Sequence, residues 1–367
     1  MADRQITVLF LLNEASESSI PLEVAAKLDE TEINVEVCAF FDPDEDTFGV
    51  NVRSLGASSQ LDPRPYLRLL RVISETDPDI VHIHSNATGS VIRVLLAMDN
   101  VKLVSTEHNS HMHFSRLKRI INGVTNPLND VVVANSEMTK LSFSSWEQSL
   151  LSISDTTVRK IHNGVNTEAV SEGRKSGHAP SLPDGFIIGT AGRMVTQKNH
   201  AAIVRGAAPI IREQNDAHLV FVGKGELETN LQNLVEEYGI RDNTHFLGYL
   251  PKRADVYAVM DNMDIFAFPS KYEGFGVAVA EAMAVGTPVV ANKIPVLEEV
   301  IGDAGILVDI DTGESLTAPL KSLYEDEGRR RHLGNAGAQR IEDYFHLGKT
   351  VHDHVALYRM LVGYVPN

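Results

Sequence analysis

Residues 264–292 read DIFAFPSKYEGFGVAVAEAMAVGTPVVAN. DIFAFPS is an apolar, aromatic run of strand length closed by proline, VAVAEAMAVG is a short helix ending on glycine, and TPVVAN is a second β-branched run. Strand, helix and strand in one short span make a βαβ unit and therefore a parallel sheet. Two acids, Glu273 and Glu281, interrupt this otherwise buried pattern. Gly274 and Gly276 let backbone approach closely, and the helix that follows offers unpaired N–H groups and a positive dipole end, which favour an anion such as phosphate. Glu281 lies about one turn into the helix and leans back toward that end. Carboxylates repel an anion, so the two acids are expected to accept hydrogen bonds from hydroxyls beside it, a ribose diol and a sugar ring. Helix capping by Glu273 and solvation of Glu281 are the bland alternatives. The helix is apolar on nearly every side, however, and a buried carboxylate without partners is costly, so a nucleotide sugar is the more economical reading.

The same grammar extends along the whole chain. ITVLFLL, INVEVCAF, DIVHIHS, KLVSTEH, DVVVANS and TVRKIHN alternate with helical patterns in the first half, and FIIGTAG, HLVFVG, THFLGYL, DIFAFPS, TPVVAN and GILVD do so in the second. At 367 residues two Rossmann-like domains are expected. The polar stretch SEGRKSGHAPSLPDG ends the first of them. We expect residues 1–172 to form an acceptor domain, 173–185 a linker, 186–349 a donor domain, and a last helix at about 350–367 to pack back on the first. Hydrophobic residues at 43% and charged residues at 22% describe an ordinary globular protein. The net charge of -16 argues against a nucleic-acid partner. A single cysteine, Cys38 in an apolar run, excludes an intrachain disulfide and reads as a buried, inert thiol. MADRQITVLFLLNEASES has an apolar run too short to span a bilayer and is followed by acids, which predicts a cytoplasmic protein.

Ligands of open α/β sheets bind beyond the carboxyl ends of the strands. Those ends carry Ser85-Asn86, Glu107-His108-Asn109, Asn135-Ser136, Asn163-Gly164, Gly192-Arg193, Gly223-Lys224-Gly225 and Glu273. Two such polar rims facing one another would enclose a deep cleft. In GTAGRMVTQKNH, Arg193 suits bidentate phosphate contact and Lys198 a point-charge contact, so the pair could neutralise a departing diphosphate.

Glu273-Gly-Phe-Gly followed by Glu281 resembles the E-x7-E element of retaining glycosyltransferases with the GT-B fold, of the family numbered four. GTAGRMVTQKN is similar to that family's phosphate loop, FVGKGE and FLGYL to its next two strand ends, and NKIPVLEEVIGDAGILVD to its last donor segment. DIVHIHS, STEHN, VVANSE and IHNGVN resemble its acceptor-domain strand ends. The resemblance implies transfer of a sugar from a UDP- or GDP-linked donor to a hydroxyl of a glycan or lipid-linked acceptor, without a metal or other cofactor. It implies that Arg193 and Lys198 bind the diphosphate, Glu281 the ribose, and Glu273 with the backbone of Gly274, Phe275 and Gly276 the donor sugar. Gly192, Gly223, Gly248, Tyr249 and Glu299 complete the donor side, and His108 approaches the transferred sugar. The loop NEASESSIP replaces the family's glycine pair, leaving Ser16 and Ser18 with Asn86, Asn109 and Asn135 as the acceptor side.

His108, His111 and His113 are closely spaced on a loop without cysteine and read as polar lining rather than a metal site. FSRLKRIINGVTNPL is a basic amphipathic segment in an acidic chain, which suggests peripheral contact with an anionic membrane; a core-facing helix with a solvated basic side is the alternative. A sugar-nucleotide 2-epimerase and a catalytically silent nucleotide-sugar-binding protein would use the same donor residues. No G-x-G-x-x-G opens a helix after the first strand, which disfavours a dehydrogenase.

Overall fold

The computed structural model describes residues 5–16, 19–43, 47–60, 62–85 and 87–363. They divide into two compact units, one running to Gly164 and resuming at Leu347, the other spanning Val165–His346. In the first unit β1 (Ile6–Leu12), β2 (Ile33–Ala39), β3 (Val52–Ser54), β4 (Ile80–Ile83), β5 (Lys102–Glu107), β6 (Val131–Ala134) and β7 (Thr157–Lys160) form one parallel sheet in the order β3-β2-β1-β4-β5-β6-β7. The continuous apolar runs follow from burial on both faces. Val8, Phe10 and Leu12 join one core cluster, while Leu9 and Leu11 join the other. The helix Leu347–Leu361 belongs to this unit and adds Val351, Leu357 and Tyr358 to the first cluster. Each such buried side chain contributes roughly 1.5–3 kcal/mol.

The second unit repeats the plan. Its strands β8 (Phe186–Ala191), β9 (Ala217–Val222), β10 (Thr244–Gly248), β11 (Ile265–Phe268), β12 (Val289–Asn292) and β13 (Ile306–Val308) are ordered β10-β9-β8-β11-β12-β13, again parallel. Chain direction across each sheet reverses beside its first strand, between β1 and β4 and between β8 and β11. Loops leaving those strands diverge and open a crevice. Arg193 follows β8 and Glu273 follows β11, so the two segments expected from the sequence to meet an anion leave neighbouring strands.

The expected linker differs from the structure. A helix spans Thr167–Ser176, started by Asn166, whose side chain accepts the Ala169 N–H. It packs in the second unit on the helix Arg253–Asp261: a Cβ at Gly173 would come 3.0 Å from the Ala254 Cα, and the Arg174 Nε donates to Asp261 at 2.8 Å. Division therefore falls at Gly164, one helix earlier than residue 172. The polar composition concealed that helix because only Val170 and Gly173 are buried in it.

Candidate active site

Residues 264–292 fold as strand, turn, helix and strand in the second unit. Gly276 caps the helix Val277–Val285 with φ 89°, and a Cβ there would lie 2.7 Å from Leu297 Cδ2, so both backbone and space require glycine. The Val279 and Ala280 N–H groups close on the Gly276 carbonyl. Those of Val277 and Ala278, one turn too early, have no intrahelical acceptor and form a positive end.

Beside it the Glu273 carboxylate accepts from Lys198 Nζ at 2.7 Å and from the Ser270 hydroxyl at 2.5 Å. The Lys198 ammonium also sits 4.8 Å from the centre of the Phe268 ring. Both charged groups are largely buried, at 16% and 10% exposure, so the ion pair is held in place rather than loose in solvent. The loops carrying them are laced together. Gln197 accepts the Lys271 N–H at 2.9 Å and donates from its side chain to the Tyr272 carbonyl at 2.7 Å, while Asn292 donates to the Ser270 carbonyl at 3.0 Å. Arg193, on the same loop as Lys198, is exposed and makes no side-chain hydrogen bond or ion pair among the described residues.

Glycine sets the spacing of the neighbouring loops. The Gly192 N–H donates to Val222 at 2.9 Å, the Gly223 N–H to Gly248 at 2.7 Å and the Met194 N–H to Lys224 at 3.0 Å. Gly223 has φ 120°, and a Cβ there would lie 2.2 Å from the Gly192 carbonyl oxygen. Tyr249, just beyond, is 64% exposed.

Glu281 is buried, as its apolar helix implied, but its partners are protein groups. Its Oε1 accepts from the Arg253 guanidinium and, at 3.0 Å, from the Tyr257 hydroxyl. Burial of this acid therefore needs no ligand to explain it. Neither Arg253 nor Tyr257 was singled out in the sequence; their spacing of four on one helix was the available signal. Ser270 and Gln197 were likewise missed. Phe275 is buried with its ring 5.6 Å from Phe345, so it is the backbone there that can meet a ligand. Glu299 is half-buried and its carbonyl accepts from Arg340 at 2.9 Å, whereas Glu298 is exposed.

In the first unit His84 Nδ1 and His108 Nε2 are 3.2 Å apart at the ends of β4 and β5. Desolvation pushes the His108 imidazole down to about 4, with Glu107 opposing, and pushes His84 well below its ordinary value. Both are neutral at pH 7, so one ring donates to the other. Among the described residues, His84 Nε2 and the Asn13 side-chain oxygen are buried without a hydrogen-bond partner, at the ends of the two switch strands β4 and β1. Such orphaned atoms are expected where a ligand completes the bonding. Asn135 is buried and donates to the His108 carbonyl at 3.1 Å, Asn109 is exposed and Ser16 half-buried. Ser18 and Asn86 lie outside the described residues.

His111 is not pocket lining. It is fully buried, with Nδ1 2.8 Å from Glu147 Oε1 and Nε2 3.5 Å from Glu107 Oε2. Burial would lower it, but the two carboxylates raise it above the ordinary histidine value. Burial would in turn raise Glu107, and His111, Arg93 and Asn122 hold it at about 2. Among the described residues no group of three or more His, Cys, Asp or Glu side chains is arranged to hold a metal ion.

Comparison with known proteins agrees with this fold. Residues 21–169 match the family model described as Glycosyltransferase Family 4, and residues 176–340 the model described as Glycosyl transferases group 1. The chain is 27% identical over 292 residues to a phosphatidyl-myo-inositol mannosyltransferase of Mycobacterium leprae, covering 78% of this chain and 75% of that one. It is 28% identical over 270 residues to an N-acetylgalactosamine-N,N'-diacetylbacillosaminyl-diphospho-undecaprenol 4-alpha-N-acetylgalactosaminyltransferase of Campylobacter jejuni, covering 73% and 70%. Among solved structures, sucrose-phosphate synthase of Thermosynechococcus elongatus superposes with a TM-score of 0.81 at 20% identity, covering 99% of this chain and 100% of that one. Anabaena HepE in complex with UDP and glucose gives 0.78 at 19%, covering 96% and 99%.

Proposed function

Because the chain is a glycosyltransferase of the GT-B fold, with a family 4 half and a group 1 half, we propose that it moves a sugar from a nucleoside diphosphate sugar to a hydroxyl, with retention at the anomeric carbon. The observation that carries this reading is the switch point of the second unit. There a buried Lys198–Glu273 pair, an exposed Arg193 and the start of the helix Val277–Val285 leave adjacent strands. An ammonium has three donors, and Glu273 occupies one at 2.7 Å, which leaves others for phosphate. As the glycosidic bond breaks, charge grows on the departing diphosphate. Groups already fixed before that moment stabilise it without reorganising, which is the largest single term in much of enzyme catalysis. In this reading Arg193, Lys198 and the helix amides do the work, Glu273 holds a sugar hydroxyl, and no metal is needed.

The acceptor is a glycan or a lipid-linked hydroxyl, met by the first unit through His108, with the orphaned Asn13 oxygen and His84 Nε2 as further candidates. Support for the donor class comes from relatives. One structural neighbour is a complex with UDP and glucose, and one relative is named a GDP-mannose-dependent mannosyltransferase, which keeps both bases open.

An NMR time course with UDP- and GDP-hexoses in the presence of chelator tests the proposal. Transfer with a retained anomer is the expected result; conversion of donor with no acceptor consumed would mean epimerisation instead. Arg193→Ala should lower turnover roughly a hundredfold or more, the scale for losing one preorganised donor. A near-normal rate in that variant overturns the assignment.

A further inference from the structure

The helix Arg116–Thr125 is amphipathic in reverse. Asn122, Gly123 and Thr125 are buried, whereas Leu117 (68% exposed), Ile120, Ile121 and Val124 face outward. The neighbouring helix Ala87–Leu96 repeats the arrangement. Arg93 is fully buried there, while Val91, Val94 and Leu95 are exposed, with Met98 in the following turn at 97%. Each apolar set recurs at three- and four-residue steps and so forms one stripe. Ten of the eighteen exposed large hydrophobic residues among the described residues lie between Val91 and Leu128. Scattered single exposures are ordinary in a globular protein; a concentration on two packed helices is not.

Polar bonding fixes the inversion. Arg93 donates to the Asn122 side-chain oxygen at 2.5 Å, to the Ser90 hydroxyl at 3.0 Å and to the Asn126 side-chain oxygen. Asn122 in turn donates to the Glu107 carboxylate at 2.6 Å. Turning either apolar stripe inward would unpair a buried guanidinium and a buried carboxylate, which is far costlier than exposing leucine and valine. The stripes are therefore held outward.

Charge identifies what covers them. The chain carries -16, yet residues 108–128, which include the helix Arg116–Thr125, hold three Lys or Arg and no carboxylate. Arg116 and Lys118 are exposed beside Leu117. Apolar residues flanked by long cationic side chains match the boundary between acyl chains and anionic headgroups. A second copy would instead bring the same cations face to face. We propose that the outward face of the helices Ala87–Leu96 and Arg116–Thr125 docks the protein on an anionic lipid bilayer.

Co-sedimentation of the full chain with sucrose-loaded vesicles tests this, using phosphatidylcholine alone and an equal mixture with phosphatidylglycerol. Binding to the mixture, weak binding to phosphatidylcholine and release by high salt are expected. Arg116→Gln with Lys118→Gln should weaken binding about 25-fold, about fivefold per cation, and Leu117→Glu with Ile121→Glu should abolish it. Because these side chains are exposed, the variants should keep the parent's melting temperature; Val94→Glu on the other helix replaces any that does not. Equal binding to both vesicles, or unchanged binding by the variants, overturns the proposal. So does a dimer in sedimentation velocity that Leu117→Glu dissolves, since the face would then join two copies. No nucleotide sugar is present in these measurements, so they succeed or fail separately from the donor assignment.

Discussion

Arg253 and Tyr257, four residues apart on one helix, both donate to a single oxygen of the buried Glu281 carboxylate. The acid's burial was legible because its own helix is apolar on nearly every side. Its partners were not, because they lie on another helix, Arg253–Asp261, that only packing brings alongside. Arg253→Met should leave the carboxylate with the Tyr257 hydroxyl at 3.0 Å and cost about 2 kcal/mol, the scale for a charged group losing a hydrogen-bonded partner. Urea unfolding measures this; a loss below a few tenths of that value would mean the ion pair adds nothing to the fold. The pair Lys198–Glu273 was half legible. Each residue was singled out for a ligand, and each is also the other's partner.

At the scale of elements, strand ends were the readable feature. Every strand expected from a β-branched run is present, and β3 was missed because its three residues are too few to show a pattern. The loops after β8, β9 and β10 stack through Gly192, Gly223 and Gly248, an arrangement set by backbone distances that no pattern of side chains encodes. Gly223→Ala tests it. A side chain at φ 120°, 2.2 Å from a carbonyl oxygen, must push the loops apart. We expect a loss of about 2 kcal/mol or more in stability, together with weakened nucleotide-sugar binding in a thermal-shift titration. A variant as stable as the parent would show that the loops are not packed this way. The helix Arg116–Thr125 illustrates the opposite limit. Its amphipathic pattern left two readings, an apolar side against a membrane or against the core, and the structure turns that side outward because Arg93 and Glu107 claim Asn122 from within.

At the scale of the whole molecule, buried histidines set the response to acid. In the first unit His82, His84, His108 and His354 all have lowered pKa values, through burial first; neighbouring histidines add to it at His82 and His84, whereas Glu107 opposes it at His108 and the Thr350 carbonyl and Asp353 oppose it at His354. The unfolded chain takes up protons near 6.5 while the folded one does not, so this stability is complete above about 6.5 and falls as pH drops toward the folded values; for His108 that value is about 4. His200 in the second unit, also lowered to about 4, acts in the same direction. His111, raised by its two carboxylates, acts in the opposite one. Four groups against one in the first unit predict a urea midpoint that falls steadily between pH 6.5 and 4.5. The single tryptophan, Trp146, lies in that unit and reports it by fluorescence. A midpoint constant or rising across the window would contradict the assignment of these rings as buried and neutral.

The amino-acid sequence by itself determined two parallel-sheet units, the strand ends that carry polar residues, and the Gly-Phe-Gly turn before an anion-accepting helix. These depend on local periodicity and on which residues tolerate a given backbone, and such information is written in consecutive positions. Only the tertiary structure decided that Lys198 pairs with Glu273, that Arg253 and Tyr257 hold Glu281, and that a helix with an apolar stripe turns it to solvent. Those outcomes depend on which side chains from distant segments satisfy one another's charge and hydrogen bonds once water is excluded, and the chain's order does not state that.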